Sequence, residues 1–195
     1  DRQASPSFNR AEELLRSANA LRSQKDNWRQ VVTMARQAAQ AAEEKVSLVQ
    51  KAIELNSPEG AYPGAFDTLI AAVLAADPAV VATLSDNSQE TVFAPTDDAF
   101  AALGLDADNV DEALDQGTLT KVLLYHVAPG RRYAEDVVSS HRMRTLLKGK
   151  QGFFRVNGTV LTDNLGRTSN IIATDVEADN GVIHAIDSVL LPVQP

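Results

Sequence analysis

Thr91-Val-Phe-Ala-Pro-Thr-Asp-Asp-Ala-Phe100 is the stretch on which the fold turns. Thr91 to Ala94 reads as a buried strand, and Pro95 ends it, because proline cannot donate to a sheet ladder. Thr96 or Asp97 then suits the N-cap of a helix that buries Ala99, Phe100 and Leu103. Asp97 and Asp98 are adjacent and would point in different directions on that helix. They read as cap and first-turn charges favoured by the helix dipole rather than as a catalytic pair.

Upstream, Ser57-Pro58-Glu-Gly60 and Tyr62-Pro63-Gly64 break any helix and mark a boundary. Phe66, Leu69, Ile70, Val73 and Leu74 recur at helical spacing, and Pro78 suits the first turn of another helix carrying Val80, Val81 and Leu84. Downstream, helices fit residues 109–116 and 118–127, with Asp108 as a cap. Beyond Pro129 the pattern turns to strands. Phe153–Val156 and Thr159–Thr162 flank Asn157-Gly158, a two-residue hairpin signal, and residues 170–175, 181–186 and 189–191 complete a β-rich half. Helices first and strands later give an α+β domain over residues 58–195, present in one copy since nothing repeats at longer period.

Residues 1–57 read differently. Asn9-Arg-Ala-Glu12 forms a capping box, a turn fits Gln24–Asn27, and a second arm carries Trp28, Val31, Ala35, Ala38, Ala42, Val46, Val49 and Ile53 on one stripe. This predicts an N-terminal α-helical hairpin whose stripe packs on its partner arm or on the following domain. An intermolecular coiled coil, making a homo-oligomer through these helices, is the sharper alternative. The charge also splits: residues 1–57 hold nine Lys and Arg against seven Asp and Glu, residues 58–195 nine against nineteen.

The net charge of −8 argues against general nucleic-acid binding, which needs a basic footprint. With no cysteine there are no disulfides, thiol nucleophiles or Cys-ligated metals. No apolar run is long enough to span a membrane, and Asp1 opens no leader pattern. Three histidines remain as suspects, His126, His141 and His184. None has zinc-helix spacing, His126 and His184 sit in apolar runs that favour buried, hydrogen-bonded rings, and His141 reads as exposed. No nucleophile elbow or phosphate cradle is present. Asp106–Asp111 fails as an EF-hand loop, because Asp111 stands where glycine is required and Gly117 where Glu is. We therefore expect no catalytic residues, no cofactor and no metal. Arg131, Arg132, Arg142, Arg144, Lys148 and Lys150 make the only basic cluster of the acidic domain, suited by charge to an anionic polysaccharide. Asn157-Gly-Thr159 is also a glycosylation sequon.

Two later blocks answer the opening one: Leu123-Leu-Tyr-His-Val127 and Asn180-Gly-Val-Ile-His-Ala-Ile-Asp-Ser-Val-Leu-Leu-Pro192. In this order and spacing the three resemble the first conserved box, the Tyr-His box and the second conserved box of a fasciclin domain, over residues 58–193. The resemblance implies a β-core, described as a wedge of two sheets, with helices around it. It also implies a non-catalytic adhesion or interaction module that is secreted, at the cell surface or periplasmic. Its partners would be a cell-surface or matrix protein or a polysaccharide. Tyr125 and His126 carry the family's Tyr-His motif, linked to integrin contact. Asp175 and Val176 match the Asp-Ile of an integrin-recognition motif in some animal members. Here Val replaces Ile and Ala173-Thr174 replaces Glu-Pro, so integrin itself is not the expected ligand. The rival expectations are a small-molecule binding or enzymatic domain with Tyr125, His126 or His184 converging on an apolar pocket, and an assembly protein working through its helices.

Overall fold

The computed structural model of the chain describes residues 46–193, and the helical readings for residues 9–45 lie outside them. Two apolar strands, β1 (Glu90–Pro95) and β7 (Gly181–Ile186), pair in parallel with Phe93 opposite His184. All their residues are buried except the half-buried Val92, which is why each reads as a mostly apolar run rather than an alternating one, Glu90, Thr91 and His184 being the polar residues taken inside. On the far side of β1, β2 (Val127–Pro129) pairs antiparallel, and the Phe93 N–H donates to the His126 carbonyl at 2.9 Å. The three sequence boxes thus meet at the centre of one sheet, though Thr91 and Val182 lie 91 positions apart in the chain.

From β7 the sheet continues antiparallel through β6 (Thr168–Ala178), β5 (Val160–Thr162), β4 (Phe153–Asn157) and β3 (Arg142–Arg144). The order is β2-β1-β7-β6-β5-β4-β3. Just past β3 the Leu146 N–H donates to the Val127 carbonyl at 2.7 Å, so the two ends nearly meet. The expected α+β class with helices around a β-core is what forms. Its wedge is a single sheet folded over along β6, where the register to β7 slips between Ile171 and Ala173 and again between Ala173 and Val176. Bulges of this kind bend and overtwist a strand.

The helices are α1 (Leu48–Leu55), α2 (Asp67–Ala75), α3 (Pro78–Ser85), α4 (Asp97–Ala101), α5 (Val110–Ala113), α6 (Gln116–Tyr125) and α7 (Ala134–Ser139). The single helix read over 109–116 stops early, because the Asp115 carboxylate caps α6 by accepting the Gly117 and Thr118 N–H groups. Asp108 is not the cap of α5. That turn is organised by Asp106, whose carboxylate accepts the N–H groups of Asp108 and Asn109. The stripe read through Val46 to Ile53 is interrupted at Ser47, which is extended and caps α1 by accepting the Gln50 N–H. α1 packs into the same core as the helices that follow, through Leu48 and Leu55. The prolines and glycines of residues 58–64 therefore form a turn inside the packed unit. At Gly60 a Cβ would meet the Leu55 carbonyl oxygen at 2.3 Å.

Asp97 does not cap its own helix. Its carboxylate accepts the N–H groups of Asp67 (3.2 Å) and Thr68 (2.9 Å), capping α2 from the start of α4, while Thr96 makes no side-chain cap bond. Burial pushes the Asp97 carboxyl above its usual range, against the lowering effect of the Thr68 hydrogen bond. Asp97→Ala is therefore expected to lower the urea midpoint by the equivalent of about 1–2 kcal/mol, and Thr96→Ala by far less. Equal losses at the two positions would contradict this assignment.

Two cores result. One lies between the helices and the β1–β7 face and includes Leu69, Phe100, Leu123 and Ile183. The other fills the fold of the sheet with Phe93, Tyr125, Phe154 and Leu161. Here Phe154 meets Phe93 and Tyr125 edge-on, with centroids 5.2 Å and 5.9 Å apart.

Candidate functional site

Tyr125 and His126 stand together at the end of α6 but face different cores. Tyr125 is wholly buried, and its hydroxyl donates to the Phe153 carbonyl at 2.8 Å. Burial raises its phenol above the ordinary range, with Asp163 adding to the effect. His126 is also buried. Its Nδ1 donates to the Val122 carbonyl at 2.8 Å, and its Nε2 accepts the Leu190 N–H at 3.0 Å, which fixes one neutral tautomer. Desolvation drives its pKa down to about 4. The pair that the sequence offered for recognition is thus committed to the fold. Tyr125→Phe should cost about 1 kcal/mol in a urea titration, the size of one buried neutral hydrogen bond.

Asp175 and Val176 sit at the second bulge of β6. Asp175 is exposed at φ 59°, a left-handed conformation that Asp tolerates better than most residues. Its N–H donates to His184 Nδ1 at 3.2 Å, and its Oδ1 accepts the Ala134 N–H at 2.7 Å. His184 completes the relay by donating from Nε2 to the Arg132 carbonyl at 2.8 Å, and burial lowers its pKa. Val176 is half-buried against the helical core. No hydrogen bond, ion pair or ring contact joins Asp175 or Val176 to Tyr125 or His126 among the described residues. The structure does not bring the four together. Asp175 remains the one exposed member.

An apolar cleft of about 360 Å³ opens in the helical layer, lined by side chains such as Leu69, Phe100, Leu105, Leu119 and Leu191. His126 is its only polar wall, and both ring nitrogens are already bonded. Tyr125 and His184 belong to the other side of the sheet, where His184 lies tilted 5.5 Å from Phe93. The convergence of the three side chains on one pocket does not occur. Glu90 is buried at the β1–β7 junction with Oε2 unpartnered, and desolvation lifts its pKa to about 7, but it does not line the cleft. Among the described residues no three His, Asp or Glu side chains converge, and no single helix is long and apolar enough to cross a membrane.

Sequence reasoning missed three polar hubs. Asn180 donates to the Leu84 and Asp86 carbonyls and accepts the Leu48 N–H. Asp163 accepts from the Arg167 guanidinium and from the Leu191 N–H, holding the last residues of the domain. Arg131 donates to Gln89 and to the carbonyls of Ala178 and Asp179, which takes it out of the basic cluster. Only Asp163 had a local signal, the Asp163-Asn-Leu-Gly166 turn.

The polar residues of the boxes thus serve chiefly to tie the elements around the central strands to one another, and relatives sharing them should share the architecture. Protein sll1483 of Synechocystis sp. is 44% identical over 130 residues, which cover 65% of this chain and 67% of the relative. Human periostin is 32% identical over 133 residues, 65% of this chain but 15% of periostin. The immunogenic protein MPB70 of Mycobacterium bovis is 33% identical over 108 residues, covering 55% of this chain and 52% of its own. A FAS1 domain pair from the insect cell adhesion molecule Fasciclin I shares the fold, with a TM-score of 0.51 at 21% identity over 65% of this chain and 45% of that one. The model of the fasciclin domain matches residues 64–192, enclosing all three boxes, and the chain belongs to the fasciclin domain family.

Proposed function

We propose that this chain is a non-catalytic interaction module of the adhesion type, acting outside the cytoplasm as a secreted, periplasmic or cell-surface protein. One observation carries the reading. Both buried histidines and Tyr125 are bonded within the fold, so they leave no acid, base or nucleophile facing the cleft. What the domain offers a partner is its outer surface. The likeness to a cell adhesion molecule supports the same reading at the level of fold. Partners would be a cell-surface or matrix protein or a polysaccharide, and Asp175 is the family-motif residue still exposed to meet one. Residues 1–57 serve as a helical accessory whose last turns, in α1, dock on the domain, and whose remainder joins the module to a partner or a second copy.

The test is capture of the source organism's cells on surfaces coated with the full chain, against heat-unfolded chain and albumin. Capture by the folded coating alone is the expected result. Equal capture by all three coatings, or none, would sink the adhesion reading. The small-molecule rival rests on the apolar cleft and predicts saturable uptake of an aliphatic ligand.

A further inference from the structure

Residues 137–162 contain five Lys or Arg and no Asp or Glu, while the rest of residues 58–195 holds four against nineteen. The fold turns this segregation into a surface. Across the antiparallel β3–β4 pair, Arg142 lies directly opposite Arg155, and Arg144 opposite Phe153. Opposed residues and alternate residues of a strand share a face. Arg142, Arg144 and Arg155 therefore all point outward, while Met143 and Phe154 between them are buried. Lys148 and Lys150 stand exposed on the loop joining the two strands. None of the five is ion-paired, the bridges among the described residues being Lys51–Glu54 and Arg167–Asp163. Like charges placed directly opposite each other destabilise a sheet, and a bound anion relieves them.

The neighbouring side chains indicate which anion. From Arg142 and Arg155 the outward row continues to Thr162 and Thr168 at the paired positions of β5 and β6. Phe153 is half-buried, and the Arg142 guanidinium covers one face of its ring at 3.9 Å from the centroid, so it is no open platform. A protein partner would want a buried aromatic or aliphatic anchor, single-stranded nucleic acid an open aromatic platform, and a membrane an apolar face to insert. The strip supplies none of these. Phosphates of a duplex running beyond it would meet the acidic remainder of the domain. A linear acidic polymer needs only repeated cations and hydroxyl partners, and arginine forks take carboxylate or sulfate bidentately. We propose that the outward face of β3 and β4, with Lys148 and Lys150, binds an acidic polysaccharide. This rests on the interaction-module reading above and specifies its surface and chemistry.

The experiment is retention of the full chain on immobilised polygalacturonate (carboxylate) and dextran sulfate (sulfate), with neutral dextran as control. Binding to either charged polymer and not to dextran is expected, weakening about tenfold or more between about 50 and 200 mM salt. The polymer retained more strongly identifies the anionic group. Arg142→Gln/Arg144→Gln/Arg155→Gln should weaken retention at least about tenfold, the loss of several charge-assisted contacts. Lys148→Gln/Lys150→Gln, on the exposed loop, should weaken it as well, and this variant carries the test should the strand variant fail to fold. Lys121→Gln, exposed on α6, should leave it unchanged. Ile172→Asp should leave it at least about half intact, since Ile172, 54% exposed on β6, lies beyond the strip. No retention at low salt, retention indifferent to both charge variants, or tighter binding to duplex DNA or phosphatidylserine vesicles would overturn the proposal. Cell capture that persists while the polymers fail overturns this surface alone. Polymer retention without cell capture upholds the surface and overturns the adhesion reading.

Discussion

Gly181→Ala is expected to destabilise the domain by at least about 3 kcal/mol, at the severe end for an added methyl group. A Cβ at this position would lie 2.1 Å from the Glu90 carbonyl oxygen and 2.9 Å from Leu48 Cδ1. Leu48 can turn aside. The carbonyl cannot, because Glu90 lies opposite Gly181 in the parallel ladder and its N–H is tied to the Asn180 carbonyl at 3.1 Å. The strands must separate, and the separation propagates to α1. A urea titration checks this, with the midpoint falling sharply at unchanged slope. Gly158→Ala provides the comparison: its φ is +61° with nothing near the added carbon, so its cost is only about 1 kcal/mol of turn strain. Equal losses at the two positions would mean that β1 and β7 approach each other less closely than described.

The second large effect is a pH dependence hidden by compensation. His126 is held neutral in the fold, with its pKa lowered from 6.5 to about 4 by burial. Between those values the unfolded chain binds a proton that the native state refuses, so stability falls as pH falls. Over the full window this is worth about 3 kcal/mol, and His184, lowered in the same direction, adds to it. Glu90 acts oppositely. Its folded pKa is raised from 4.5 to about 7, so the native state keeps a proton that the unfolded chain has released, and its contribution is lost as pH rises through 7. The wild-type profile between pH 4.5 and 6.5 should therefore be shallow. Glu90→Gln removes the larger opposing group and keeps the shape, leaving only the smaller opposition of the raised Asp97 carboxyl, so it should lose up to about 3 kcal/mol between pH 6.5 and 4, read from urea midpoints across the range. A Glu90→Gln profile as shallow as that of the wild type would show that His126 takes up its proton in place.

The individual elements were legible because they rest on local rules. Pro78 opened a helix, Asn157-Gly158 closed a hairpin, and β1 and β7 announced burial by their largely apolar runs. The buried state of His126 and His184 could be read from their apolar neighbours. Their partners could not, since the Leu190 N–H and the Arg132 carbonyl lie 64 and 52 positions away. Asp97 shows the same limit more sharply. Its place after a proline marks a helix start, but the N–H groups it satisfies belong to α2, 29 and 30 positions earlier.

The basic cluster divides along the same line. Composition alone placed cations between residues 131 and 150, because charge is a property of the residue wherever the chain goes. Strand register then selected among them, withdrawing Arg131 into three internal hydrogen bonds and setting Arg155 opposite Arg142. By itself the sequence determined the family, the α+β class and the acidic balance, which depend on residue types and short spacings. Only the tertiary structure decided that α1 belongs to the core, that Tyr125 and His126 face inward, and that Arg142, Arg144 and Arg155 share one face. Those outcomes depend on which distant strands lie side by side, and a parallel β1–β7 pair closed across some ninety residues is fixed by the packing of the whole domain.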